Sequence, residues 1–175
     1  MNTTVTQVEN GTYTLDPIHS NFGFAVKQSG VSTFKGHFED VEATLEDGVL
    51  TGVAQVESVK TAVAQLKEHL LGPEFFNAAE SPTIRFRSNE ISVGADGSAE
   101  VHGDLTMRGV TKPVTARGTY ASGQNMRGGE VVGFYLEATV DRRDYGLSWQ
   151  TPLPSGGDAL GWDVTLEVHL ALVAR

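Results

Sequence analysis

Cysteine is absent from the 175 residues of this chain. Its absence excludes disulfide bonds, cysteine nucleophiles and metal sites built from thiolates. Long apolar runs are absent too, because no stretch approaches the roughly eighteen residues that a membrane-spanning helix requires. We therefore expect a soluble protein that does not span a membrane. Its length suits one domain, residues 1–175, in which the polar residues 1–11 form a loose arm.

Basic residues are also few, thirteen against twenty-two acidic ones, which leaves a formal net charge of −9. This charge repels the phosphates of nucleic acids and the surface of an anionic membrane, so no nucleic-acid partner is predicted. Residues 1–16 lack the basic segment and the apolar segment that make up a secretory signal. A cytoplasmic location is the expectation that follows.

A single stretch, residues 61–82, departs from the two-residue alternation of its neighbours. Apolar residues recur there at three- and four-residue spacing, and Gly72-Pro73 would end a helix. The spacing predicts one helix of about three turns over Thr61–Leu71, with its first residue as N-cap. A helix this short must dock on other structure, and Phe75 and Phe76 follow directly after it. The apolar side of this helix is formed by Val63, Leu66, Leu70 and Leu71.

Elsewhere apolar and polar residues alternate over short stretches, which predicts β-strands with one buried face. Asp47-Gly48 and Asp96-Gly97 separate such stretches and are typical of tight hairpin turns. There are about eight strands if one stretch that bends near Asp40 is counted once, and an antiparallel sheet of that size must cover itself. We predict an all-β fold, an eight-stranded antiparallel barrel with one main helix near one mouth.

The interior of such a barrel is either filled by side chains or holds one small ligand, and the residues alone leave both alternatives open. Phenylalanines concentrate on the predicted inner face, which suits either a core or the wall of a tunnel. The predicted tunnel-lining residues are Phe22, Phe24, Val26, Phe34, Phe38, Phe75, Phe76, Phe86, Phe134 and Leu170.

Candidate catalytic groups are sparse. The five histidines have no pair at the spacing of a shared metal ligand set, so no metal site is predicted. No G-x-S-x-G motif is present, and no catalytic residue is assigned. His19, His69 and Arg108 are the candidate polar contacts at the mouth, although His19 also suits a hydrogen bond that stabilises a turn. Residues 142–144 are predicted to form a solvated or salt-bridged turn, with contact to a lipid head group as the lesser alternative.

Four blocks of sequence carry a resemblance. They are LDPIHSNFGFAVKQSGVSTFKGHF, HLLGPEFFNAAESPTIRF, GDLTMRGVTKPV, and DRRDYGL with GWDVTLEVHL. In this order, and over about Tyr13–Ala174, the chain resembles the YceI-like family, a lipocalin-like group associated with polyisoprenoid lipids. The resemblance implies an elongated lipocalin-like barrel, an apolar tunnel for an isoprenoid chain, a homodimer and no established catalytic residues. Many members of the family are exported.

Two hypotheses of function follow. The first is binding, transport or storage of a long isoprenoid or quinone-like lipid, with no cofactor other than the bound lipid. The alternative is an enzyme of isoprenoid or lipid metabolism that uses the barrel as a substrate tunnel, with His19, His69 or Arg108 at its mouth. A barrel filled by its own side chains, acting through its outer surface, is a third interpretation.

Overall fold

The computed structural model describes residues 5–6 and 10–175. Most of the loose arm predicted for residues 1–11 lies outside the described residues. Within it, Val5–Thr6 forms strand β1 and pairs with Val93 and Gly94. These two residues are therefore paired with the sheet.

The described residues fold mainly into antiparallel β-strands. In chain order the strands after β1 are β2 Thr12–Leu15, β3 Asn21–Gln28, β4 Ser32–Phe38, β5 Val41–Glu46, β6 Val49–Gln55, β7 Val59–Thr61, β8 Thr83–Gly94, β9 Ser98–Met107, β10 Val110–Gln124, β11 Glu130–Asp141 and β12 Leu160–Ala174. The α-helix α1 spans Lys67–Leu71. Within residues 10–175, no helix has the length and hydropathy needed to cross a bilayer.

Three strands of the barrel are bent and briefly interrupted. A 3-10 turn at Pro17–His19 separates β2 from β3, yet both pair with β12. On their other side, β2 pairs with β5 and β3 pairs with β4. Only Glu39 and Asp40 separate β4 from β5, so these two also form one bent strand. A second 3-10 turn at Val56–Ser58 joins β6 to β7. The bend predicted near Asp40 is therefore confirmed.

With these bends counted once, β2 to β12 form eight strands. Each pairs antiparallel with the next, and β12 pairs with β11 on one side and with β2 and β3 on the other, which closes the sheet. The predicted eight-stranded antiparallel barrel with one helix is confirmed. Closure leaves two ends. We call the end at the β3–β4 turn, Ser29-Gly30, the mouth, and the end at the β5–β6 turn, Asp47-Gly48, the far end.

Tight turns set the register of the strands. Ser29-Gly30, Asp47-Gly48 and Arg108-Gly109 each place two successive residues at positive φ, between 48° and 82°. Turns in which both central residues have positive φ match the right-handed twist of the flanking strands. The predicted hairpins at Asp47-Gly48 and at Asp96-Gly97, which joins β8 to β9, are confirmed.

The helix is shorter than the sequence predicts. Only Lys67–Leu71 is α-helical, and a 3-10 turn at Ala64–Leu66 precedes it. Thr61 ends β7, and its hydroxyl donates to the carbonyl of Val63 (2.9 Å), so it is not the N-cap. The prediction was wrong because periodicity was taken as burial, whereas Val63 stays 45% exposed.

Candidate functional site

The barrel is hollow from the mouth over most of its length. A cavity of about 330 Å³ extends along β12 from Leu160 to Leu170, and its lining is almost entirely apolar. Its volume lies at the lower end of the range of about 300–1,000 Å³ that is usual for small-molecule sites. Nine of the ten predicted lining residues line this cavity, namely Phe22, Phe24, Val26, Phe34, Phe38, Phe75, Phe76, Phe86 and Leu170.

Short side chains keep the centre of the barrel open. Ala43, Gly52, Ala54, Ala116 and Ala138 all line the cavity, and they come from four different strands. The interior of an eight-stranded barrel is just wide enough for large side chains to fill it. Residues this small cannot reach the barrel axis, so a void remains along it.

An aromatic cluster forms one wall of the cavity. The ring of Phe24 lies 5.7 Å from that of Phe38 and 6.0 Å from that of Phe76. Phe38 and Phe76 meet edge to face at 5.6 Å, and Phe34 lies 6.5 Å from Phe24. Phe76 follows α1, so this cluster attaches the helical segment to the barrel wall.

The far end of the barrel is packed solid. Leu45 and Leu172 are fully buried there, and neither lines the cavity. Phe134 belongs to this core and packs against Tyr120, with ring centroids 5.0 Å apart. The prediction that Phe134 lines the tunnel was therefore wrong, because alternation assigns a residue to the inner face without giving its height along the barrel. The cavity is blind at this end.

Three aromatic rings meet over the mouth. His69 of α1 lies 4.8 Å from Phe75 and 5.5 Å from Trp149, and the latter two are 5.6 Å apart. All three line the cavity. The imidazole Nε2 of His69 also lies 2.8 Å from the carboxylate of Glu74. The helical segment and the β11–β12 loop therefore cover the mouth together.

The two other candidate mouth residues lie outside the cavity. Arg108 donates from one guanidinium nitrogen to the carbonyls of Pro73 (2.7 Å) and Phe75. It therefore fixes the segment after α1. His19 is on the outer wall, where its Nδ1 pairs with Asp16 (2.7 Å) and lowers the pKa of that carboxyl. Its predicted turn-stabilising hydrogen bond is confirmed, and a place at the mouth is excluded.

Arg142 lies at the site, although the sequence favours a place for it on the surface. It was predicted to be in a solvated turn, but it is 2% exposed and lines the cavity. Its guanidinium donates to four backbone carbonyls at 2.6–3.2 Å, those of Leu147, Trp149, Leu160 and Gly161. It also lies 4.2 Å over the ring of Trp162. Burial lowers the pKa of Arg142, although a guanidinium keeps its charge at neutral pH.

Its neighbour Arg143 behaves as the sequence predicts for this turn. Arg143 is exposed and forms a salt bridge with Asp141 (2.7 Å). The side-chain hydrogen bond from Arg143, with its backbone N–H, lowers the pKa of Asp141 from 3.8 to about 2. Two adjacent arginines thus take different places, since one fixes the β11–β12 loop and the other remains on the surface.

Metal-binding side chains do not converge in the part of the chain that the structure describes. Among these residues, no three of the His, Asp and Glu side chains lie together in a group that could hold a metal ion. The polar residues that border the cavity are Gln28, Thr51, His69, Arg85 and Arg142, of which Arg85 has an exposed side chain. The site is therefore an apolar chamber with a few polar groups in its wall.

Comparison with known proteins gives the family. Residues 13–172 match the family model described as "YceI-like domain". The chain belongs to the YceI-like family. A UPF0312 protein of Staphylococcus aureus (strain MSSA476) is 30% identical over 164 residues, which cover 89% of this chain and 93% of the relative. A UPF0312 protein of Pseudomonas aeruginosa (strain LESB58) is 33% identical over 138 residues, 74% and 71% of the two chains.

Solved structures support the YceI-like fold. A polyisoprenoid binding domain from Saccharophagus degradans, implicated in plant cell wall breakdown, superposes with a TM-score of 0.66 at 16% identity. The superposition covers 93% of this chain and 98% of the Saccharophagus degradans domain. At these identities, the likeness establishes the fold alone.

Proposed function

We propose that this protein binds a long apolar lipid of the isoprenoid class, polyprenyl or quinone-like, and acts as its carrier or store. The observation that carries the proposal is the blind, almost wholly apolar cavity inside the barrel. The Saccharophagus degradans domain with the same fold is named for binding polyisoprenoids, which adds support for this ligand class.

The shape of the cavity suits a chain. Its lining runs over eleven residues of β12, Leu160 to Leu170, which is about 25 Å along the axis for a strand tilted by about 40°. A volume of about 330 Å³ spread over that length leaves a narrow channel. A slender chain lying along the axis fills such a space better than a compact ligand does.

Burial of the chain supplies enough free energy for binding. An isoprene unit has five carbons and contributes about 3–4 kcal/mol of transfer free energy when it is buried. Association costs about 4–15 kcal/mol, so the roughly five extended units that fit along about 25 Å would offset this cost without a polar contact. The length and width of the cavity would then set the preference among lipids.

The arrangement of polar residues favours binding over catalysis. Of the three residues that an enzyme would use at the mouth, only His69 lines the cavity. Its imidazole already pairs with Glu74, while His19 and Arg108 are engaged elsewhere. A carrier needs no converging acid and base, and this cavity presents an apolar surface with a blind end.

Competition binding tests the ligand class. A fluorescent lipid probe bound to the purified protein would be displaced by polyprenols of increasing length and by straight-chain alcohols of equal carbon number. Affinity should rise with each isoprene unit until the cavity is full, and polyprenols should compete better than their straight-chain counterparts. Equal competition by both series would contradict the isoprenoid assignment while leaving general lipid binding in place. The homodimer implied by the family resemblance stays a prediction.

A further inference from the structure

The lining of the cavity ends at the same level on four strands. Towards the far end, the last lining residues on these strands are Ala43 on β5, Val101 on β9, Leu136 on β11 and Leu170 on β12. The next inward-facing residue on each strand does not line the cavity and is 0–5% exposed, and these residues are Leu45, Ala99, Phe134 and Leu172. We call these four residues the floor layer. They form the blind end of the channel.

Phe134 has the largest side chain of the floor layer. On β12 its cross-strand partner is Leu170, which lines the cavity, so Phe134 lies immediately beyond the lining. On β10 its partner is Tyr120, and the two rings pack with centroids 5.0 Å apart. The other members of the floor layer are two leucines and an alanine, which reach less far across the barrel. The ring of Phe134 therefore contributes most of the barrier at the end of the channel.

The spacing between layers of the barrel matches the length of an isoprene unit. Two residues along a strand cover about 6.8 Å, which is about 5 Å along the axis of a barrel whose strands tilt by about 40°. An isoprene unit adds four chain bonds and is also about 5 Å long when it is extended. One layer therefore accommodates about one unit, and a channel of about 25 Å accommodates roughly five.

We propose that Phe134 sets the maximum length of the lipid chain that the barrel can hold. This inference rests on the proposed function, because it concerns the hydrocarbon end of the same ligand. The floor layer and the lining residues next to it are all apolar, so the hydrocarbon end meets the ring of Phe134. The polar head then stays at the mouth, near Gln28, His69 and Arg142. Units beyond about the fifth remain outside the barrel, in water, and add little affinity.

Competition by polyprenols of increasing length measures this limit. For the wild type, affinity should rise up to about five units and then level off. Phe134→Ala opens the floor layer, so its limit should move to about six units. The six-unit polyprenol should bind this variant roughly tenfold more tightly than it binds the wild type, whereas a three-unit polyprenol should bind both equally. An unchanged limit in a folded Phe134→Ala variant would overturn the proposal.

Val132 provides the matched control. It is the next inward-facing residue beyond Phe134 on β11, is fully buried and does not line the cavity. Val132→Ala also creates a void in the far core, but the ring of Phe134 separates that void from the channel. The length limit should therefore remain that of the wild type. A longer limit in Val132→Ala would mean that any loosening of the core lengthens the channel, which would contradict the role of Phe134.

Two further variants keep the test decisive if Phe134→Ala does not fold. Phe134→Leu removes the ring but keeps an apolar side chain, and it should bind the six-unit polyprenol roughly threefold more tightly than the wild type does. Ala43→Leu extends a side chain into the channel one layer above the floor, so the limit should fall to about four units. Limits equal to that of the wild type in both variants would overturn the proposal.

Straight-chain alcohols separate this inference from the proposed function. The floor layer stops any extended chain, so Phe134→Ala should raise the length limit for alcohols as well as for polyprenols. If both series compete equally and the variant raises both limits, the isoprenoid assignment fails and the role of Phe134 is supported. If polyprenols are preferred but the limit is the same in both proteins, the role of Phe134 fails and the proposed function stands. A wild-type protein that binds neither series would contradict both.

Discussion

The ring of Phe24 covers the backbone of Gly36, its cross-strand partner on β4. A Cβ atom on Gly36 would lie only 2.4 Å from Cζ of Phe24. The ring of Phe86 lies over Gly103, two residues along β9 from its cross-strand partner Leu105, and a Cβ there would lie 2.5 Å from the ring. In both pairs the glycine lets a large ring lie flat against the barrel wall, so the ring lines the cavity without filling it.

Replacing Gly36 with alanine should therefore displace Phe24. The added methyl group has no room beneath the ring, and overpacking of this kind costs about 1–3 kcal/mol of unfolding free energy. The displaced ring would also enter the cavity and weaken ligand binding. Urea denaturation and probe binding measure the two effects.

Gly133 provides the control for this substitution. A Cβ there would meet only the carbonyl of Leu170, at 3.7 Å, so Gly133→Ala should change the unfolding free energy by less than about 0.5 kcal/mol. Equal stability of the Gly36 and Gly133 variants would show that the ring does not need the glycine.

Filling the cavity should abolish ligand binding without unfolding the protein. Ala138 of β11 lines the cavity, so Ala138→Phe places a phenyl ring in the channel. We expect probe affinity to fall by at least tenfold and the unfolding free energy to change by less than about 1.5 kcal/mol, because the ring enters existing space. Thr139→Phe is the matched control, since its side chain is exposed on the opposite face of the same strand. Undiminished binding by Ala138→Phe would place the ligand elsewhere.

Arg142 should be important for stability. Arg142→Gln removes most of the donors to four backbone carbonyls, two in the β11–β12 loop and two at the start of β12, which should cost roughly 3–5 kcal/mol. Arg143→Gln loses only an exposed salt bridge and should cost less than about 1 kcal/mol. Denaturation of the two variants side by side distinguishes them. Similar small losses would mean that Arg142 does not hold the loop.

The sequence could predict the barrel because each strand alternates and tight turns separate the strands. It could also predict most of the cavity lining, since alternation identifies the inner face. It could not predict how far the solid core extends from the far end along the barrel axis, because that distance depends on the sizes of facing residues from all the strands. Phe134 and Leu136 occupy equivalent positions on β11, yet only Leu136 lines the cavity.

Burial that depends on contacts between distant parts of the chain could also not be predicted from the sequence. Adjacent arginines followed by an aspartate are typical of a solvated turn, and Arg143 behaves in this way. Arg142 is buried because the β11–β12 loop folds back, so that the loop and the start of β12 each present two carbonyls to it. The helix was predicted to be too long for the opposite reason, because a residue that the pattern indicates as buried is partly exposed. Leu66 has the periodicity of a buried residue, but it lies at the rim of the cavity.

The salt bridge at Asp141 should give a specific acid dependence of stability. Its pKa is about 2 in the folded protein, below the ordinary 3.8 of the unfolded chain. The ionised carboxylate therefore stabilises the folded state above about pH 4, and this contribution is lost as the pH falls towards 2. The difference in unfolding free energy between wild type and Asp141→Asn should be constant near neutral pH and shrink in acid. A difference independent of pH would contradict this account.

Native mass spectrometry with a polyprenol tests most directly whether the barrel holds a long apolar chain. Wild type and Ala138→Phe would be incubated with the same lipid and compared for mass and stoichiometry. We predict one lipid bound per wild-type chain and little or none on Ala138→Phe. A wild-type protein that remains lipid-free, or an Ala138→Phe variant that binds as much as wild type, would contradict the account.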